Sequence, residues 1–210
     1  MILNEIHVLV KKELHLEWRQ RYALHGLLLY LASTIFVCYL SFKAKQQAIN
    51  PITWNTLFWI IMLFIAINAI GKSFTQESTQ RNLFYYTLVS PEAIIYSKII
   101  YNSLVMIGIS FVGFFFYSWV MGNPVGNIPL YLLAIVLGGI GFASTLSLMA
   151  GIAAQGENSA TLMAVLSFPI IIPLLLLILK LAKSAMDGIS IQENWDDIAI
   201  LSSLDTIVKI

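Results

Sequence analysis

A handful of residue groups in this chain have the types and spacing to do chemistry. Ala66-Ile-Asn-Ala-Ile-Gly-Lys-Ser73 nearly matches the phosphate-binding loop, which cradles phosphates with backbone N–H groups and a lysine at the start of a helix. Ala66 stands where the first glycine belongs, and an apolar run rather than a strand precedes it. The pattern therefore reads as the end of a membrane span, with Lys72 anchored among headgroups. His7, His15 and His25 are the only histidines. His7 and His15 share a helix face, the kind of pair that ligates a metal or haem, but with no cysteine or acid cluster to complete a site they read as surface residues. No Ser/His/Asp, Cys/His or paired-carboxylate pattern occurs, so catalysis is not expected, and neither is a bound metal or cofactor.

The remaining groups act on helices rather than on substrates. Gly139, Ala143, Ser147 and Gly151 recur every four residues, a stripe that lets a second helix approach closely. Phe168-Pro-Ile-Ile-Ile-Pro173 places two prolines in an apolar run. Pro169 and Pro173 each remove a backbone donor and should kink or locally open a helix, either as a plain bend or as an element that moves or lines a pathway. Gly71–Lys98 is the longest polar segment between apolar runs. Glu77, Arg81 and the aromatic cluster Phe84–Tyr86 suggest a short surface helix there, and Ser90-Pro91-Glu92 reads as a helix start with proline first.

These groups must be positioned by membrane helices. Charged residues come in clumps, and Tyr22–Phe42, Gln46–Gly71, Ile99–Gly156 and Asn158–Leu179 contain none. A bilayer core about 30 Å thick takes roughly 20 helical residues, so each gap spans once and the longest spans twice. Only 11% of residues are charged, against about 25% in a soluble domain. The predicted spans are Tyr22–Phe42, Trp54–Ile70, Ile99–Met121, Ile128–Ala154 and Ala160–Leu181. A net charge of +1 gives no footprint for nucleic acid. Cys38, the single cysteine, reads as a small buried hydrophobe. No cleavable signal peptide is expected, because Glu5, Glu13 and Glu17 precede the first apolar run. The spans hold almost no ionisable residues, which argues against proton-coupled transport.

Residues 1–21 read as an interfacial helix. Leu3, Ile6, Val10, Leu14 and Trp18 line one side and Glu5, Lys12 and Arg19 the other, with Glu17 misplaced on the apolar side. Lys11, Lys12, Arg19, Arg21, Lys72, Arg81 and Lys98 fall on one side of the predicted topology, against Lys43, Lys45, Lys180 and Lys183 on the other. This bias predicts a cytoplasmic N-terminus, with Trp54, Trp119 and Trp195 in an outer aromatic belt. Past an acidic stretch with Asp187, Glu193, Asp196 and Asp197, Ile198–Ile210 is apolar apart from Asp205 and Lys209. Thirteen helical residues reach about 20 Å, too short to cross. The expected fold is thus an all-α polytopic bundle of five spans and an incomplete sixth, forming one domain. The short segment should pack on its own bundle near the outer face, or fray.

The surface helix with Lys12-Glu-Leu14, the pattern Phe74…Glu77…Leu83…Leu88…Ser90-Pro91…Lys98 and the Phe168–Pro173 element together resemble the haem exporter protein B (CcmB) family, over nearly the whole chain. The resemblance implies an ABC-2-type permease of the bacterial inner membrane. It implies an ATP-binding subunit as partner, other cytochrome c maturation proteins beside it, a homodimeric transporter and haem as cargo. It also implies that Glu77–Pro91 carries the coupling helix. Asn82 and Phe84 depart from a glycine and an acid common in that loop, and the family's sixth span is only begun here. A permease for another substrate, or a scaffold that moves nothing, fits the same spans.

The orientation has a direct test. With Cys38 removed, cysteines replacing Gln80 and Asn123 one at a time should differ in labelling by an impermeant thiol reagent. Asn123→Cys should label from outside and Gln80→Cys should not; the reverse pattern inverts the topology.

Overall fold

The computed structural model describes residues 2–20, 22–44, 49–75, 89–154, 156 and 159–207. Its helices are α1 (Ile2–Gln20), α2 (Tyr22–Ala44), α3 (Pro51–Thr75), α4 (Pro91–Met121), α5 (Ile128–Ala153), α6 (Ser159–Met186) and α7 (Trp195–Ile207), with a 3-10 turn at Ile191–Asn194 before α7. Helices α2 to α6 are the five that are long and apolar enough to cross a membrane. The predicted spans lie within them, apart from Ala154, one residue past the end of α5. The polytopic all-α bundle is what the structure shows.

Local sequence sets the helix ends. Asn50 opens α3, its Oδ1 accepting from the Ile52 N–H at 3.0 Å. Pro91 opens α4 at a position where no N–H is needed. Gly122 closes α4 at φ +83, a conformation that side chains resist. Asn127 then caps α5, accepting from the Leu130 N–H at 3.2 Å. The same turn is laced to the end of α6: the Asn127 N–H donates to the Ala185 carbonyl at 2.8 Å, and the Gly126 N–H to Met186 at 3.3 Å. A Cβ on Gly126 would lie 3.0 Å from that Met186 oxygen and 3.1 Å from the Gly188 backbone, so a side chain there would crowd the turn.

Within the segment 71–98, read as a coupling loop, the helix start expected at Ser90-Pro91-Glu92 is where the structure places it. Helix α3 runs on to Thr75, and α4 begins at Pro91 and continues without a break into the span. Its 31 residues extend about 46 Å, so roughly its first ten stand clear of the hydrocarbon. Ala66–Ser73 lies wholly inside α3. Its backbone N–H groups belong to the helix and are not free to cradle a phosphate.

Helix α5 is the axis of the bundle, with 61% of its most apolar window buried against 17% for α2. It earns that place through small residues. A Cβ on Gly138 would meet the Trp59 ring at 2.7 Å, and one on Gly139 would meet Ile107 at 3.3 Å. Around its first half α3 and α4 supply Trp54, Phe58, Phe114 and Tyr117, which cluster with Tyr131 of α5. Trp54 is in this core, 1% exposed, with its Nε1 donating to the Gly122 carbonyl at 3.0 Å. The expected aromatic belt therefore loses Trp54, whose indole has a protein acceptor, while Trp119 and Trp195 are exposed. On the outward faces, polar side chains bond back to their own helices: Thr34 to Tyr30, Ser41 to Val37 and Asn68 to Phe64.

Helix α7 packs on α5 and α6. It starts beside the α4–α5 turn, where Asp197 accepts from Lys180 at 2.7 Å, and runs into the bundle. Leu201 is buried, and Asp205 reaches Gly141, where an added Cβ would lie 2.9 Å from the carboxylate oxygen. With Gly141 about half-way along α5, α7 enters roughly half the bilayer depth. Packing on the bundle, rather than fraying, describes residues 195–207.

The glycines separate in a thermal-shift assay of the detergent-purified protein. Gly138→Ala should lower stability by about 1–3 kcal/mol, since the buried Trp59 ring must move. Gly108→Ala, with open space around it, should leave the melting temperature unchanged or raise it slightly.

Candidate functional site

The densest polar arrangement sits at the end of the bundle opposite the α4–α5 turn. Three carboxylates of α1 face three partners on α4 or at its start. Glu5 accepts from the Ser90 N–H at 3.3 Å and from its hydroxyl at 3.2 Å. Glu13 lies 3.4 Å from the Lys98 Nζ, and also 3.3 Å from Lys12. Glu17 accepts from the Tyr101 hydroxyl at 2.9 Å. The steps match: Glu5 to Glu13 and Ser90 to Lys98 are both eight residues, so the two helices run side by side in the same direction.

Lys98 is the centre of this ladder. It is 4% exposed, and a buried ammonium needs pairing and hydrogen bonds to be tolerated. Besides Glu13, its Nζ donates to the Ser73 carbonyl at 2.7 Å and lies over the Phe74 ring at 5.6 Å. The last turn of α3, the first turns of α4 and α1 thus meet at one side chain.

The ladder corrects the reading of α1. Glu17 is not a lapse in an apolar face: the face it shares with Glu13 lies against α4, whose polar groups satisfy both. His7, Lys11, His15 and Arg19 are exposed on the far side. The eight-residue match between acids and partners was a signal available in the sequence, but periodicity alone gives no reason to pair two segments so far apart.

Of the residues singled out in the coupling loop, Ser90 is half-buried and bonded to Glu5, while Pro91 and Glu92 are exposed at the start of α4. Glu77 and Arg81 lie outside the described residues. The small-residue stripe faces α4, which is therefore its partner helix within the same chain: Gly139 meets Ile107, and the Ser147 hydroxyl accepts from Asn102 Nδ2 at 2.8 Å. Ala143 is buried, and a Cβ on Gly151 would lie 3.9 Å from the Phe74 ring. Pro169 and Pro173 sit on the exposed face of α6 beside Val165, Phe168, Ile172 and Leu176, and the helix continues through both. A second polar knot, which sequence reasoning missed, joins three helices near the turn end. The Tyr131 hydroxyl donates to Asn55 Oδ1 at 3.1 Å, and Asn55 Nδ2 to the Leu179 carbonyl at 3.2 Å. Among the described residues no three His, Cys, Asp or Glu side chains gather to hold a metal.

Five spans and a half-length seventh helix, with a polar helix clamped to one end, define a multi-pass α-helical membrane protein. The family model described as CcmB protein matches residues 4–209, and the chain belongs to that family. No curated protein and no solved structure matches it. Membership makes the chain a membrane subunit of the inner-membrane ABC transporter system of cytochrome c maturation, partnered by an ATP-binding subunit.

The α4–α5 contact can be measured. A double-mutant cycle on Asn102→Ala and Ser147→Ala, read by reversible unfolding in mixed micelles, should give a coupling of about 0.6 kcal/mol and at most about 1.7 kcal/mol. Strict additivity would mean the hydrogen bond contributes nothing.

Proposed function

We propose that this chain is the permease that exports or delivers haem in that system, as a homodimer whose ATP is hydrolysed by the separate ATP-binding subunit. The N-terminus is cytoplasmic in this reading, and the partner docks on the segment joining α3 and α4, with Glu77, Arg81 and the Ser90–Glu92 helix start forming the contact. One observation carries it: the ladder gathers α1, the end of α3 and the protruding start of α4 on a single face. A partner that drives spans from outside the bilayer needs such a rigid platform. The Lys/Arg bias supports the cytoplasmic assignment of that face. Haem is treated as cargo, not as a resident cofactor. The pathway element is the exposed face of α6 with Pro169 and Pro173, where a second copy would close against it. There each proline leaves one helix carbonyl without its usual donor.

Docking is tested by reversing Glu77 and Arg81 together. Glu77→Lys with Arg81→Glu should release the ATP-binding subunit in a pull-down while the permease stays in the membrane at normal level. Unchanged co-purification removes the coupling role of this segment. A subunit that never co-purifies, even with the unaltered chain, leaves a scaffold as the better description.

A further inference from the structure

We infer that Lys98 is a positioning residue that pins α1 to both ends of the segment between α3 and α4, so that α1 shifts together with those ends when the ATP-binding subunit acts. The inference rests on the proposed function. Its geometric ground is independent of it.

A lysine at 4% exposure near a membrane boundary would ordinarily extend its ammonium to water. Here the Nζ turns inward and reaches two other helices at once from its base on α4: Glu13 on α1 at 3.4 Å, and on α3 the Ser73 carbonyl at 2.7 Å and the Phe74 ring at 5.6 Å. Ser73 and Ser90 bracket the joining segment. Ser90 is itself held to α1 through Glu5, and Tyr101 through Glu17, so Lys98 is flanked on both sides by further rungs. A hydrogen bond to a backbone carbonyl adds something an ion pair lacks: it fixes the main chain of α3, not only a side chain. Tying only α1 to α4 would need no contact with α3, and tying α3 to α4 would need none with α1. The single ammonium does both, which is the arrangement of a pin.

The test uses the complex of permease and ATP-binding subunit in nanodiscs. Spin labels go on two exposed positions, His15→Cys on α1 and Gln192→Cys beside α7, in a Cys38→Ala background. With Lys98 intact, ATP and vanadate should shift the distance between labels by about 2–5 Å, the scale of helix shifts in switching proteins. Lys98→Met should abolish the shift while the partner still co-purifies and hydrolyses ATP, and Lys98→Arg should restore it. Glu13→Gln cuts only the Lys98 contact with α1 and leaves the Ser73 bond and the Glu5 and Glu17 rungs in place. It should at least halve the shift, and it decides the matter if Lys98→Met does not fold. An undiminished shift in Glu13→Gln, or no shift in the unaltered complex, overturns the inference alone. Failure of the unaltered chain to bind any ATP-binding subunit overturns both the inference and the function beneath it.

Discussion

A bilayer offers helices no water to bond with, so each polar group within it must find a partner in the protein. That constraint decides where this bundle is knotted. Asn55, Tyr131 and the Leu179 carbonyl form one knot, and Asn102 with Ser147 another. Where no neighbouring helix is in reach, Thr34, Ser41 and Asn68 turn back to their own carbonyls. Because hydrophobic burial does not hold helices together in lipid, close packing must do so. The glycines of α5 permit that packing, with α3 and α4 drawn up to an axis of small residues.

The two ends of the bundle are held by different chemistry. At the α4–α5 turn the bonds are largely to backbone: Trp54 to Gly122, Asn127 to Ile189, Gly126 to Met186. Such contacts are short and specific to one conformation. At the other end the ties are carboxylates of α1: Glu5 and Glu17 accept from Ser90 and Tyr101, and Glu13 pairs with Lys98, on helices that stand partly clear of the hydrocarbon. Lys98 is the exception at that end, because it is buried and bonded to main chain.

Much of this was legible from the sequence. The spans follow from where charges are absent, and a missing charge leaves a signal whatever the packing. The turn Met121–Asn127 follows from glycine, proline and asparagine, whose backbone preferences are local. What could not be read are properties that depend on a distant partner. Glu17 breaks an apolar stripe only until Tyr101 is seen beside it. Trp54 fits an interfacial belt until the Gly122 carbonyl is seen above it. Lys98 resembles a loop charge, and periodicity carries no sign that Glu13 and Ser73 make it tolerable inside a helix. The positions of Glu77 and Arg81 stay a reading of the sequence.

The buried acids and lysine also show why the sparse charge of the chain is informative by position more than by number. Lys98 and Asp205 are nearly equally buried, at 4% and 5%, yet they lie at different depths. Lys98 is at the boundary, where a charge can be kept by one carboxylate, one carbonyl and an aromatic face. Asp205 is about half-way through α5, against Gly141, where only a residue without a side chain leaves room for a carboxyl. A glycine at that point therefore has a second use beyond helix packing: it makes space for a polar group carried in by α7. The small-residue axis of α5 thus serves α4 on one side and α7 on another, and a substitution at Gly141 would disturb the seat of an acid as well as a helix contact.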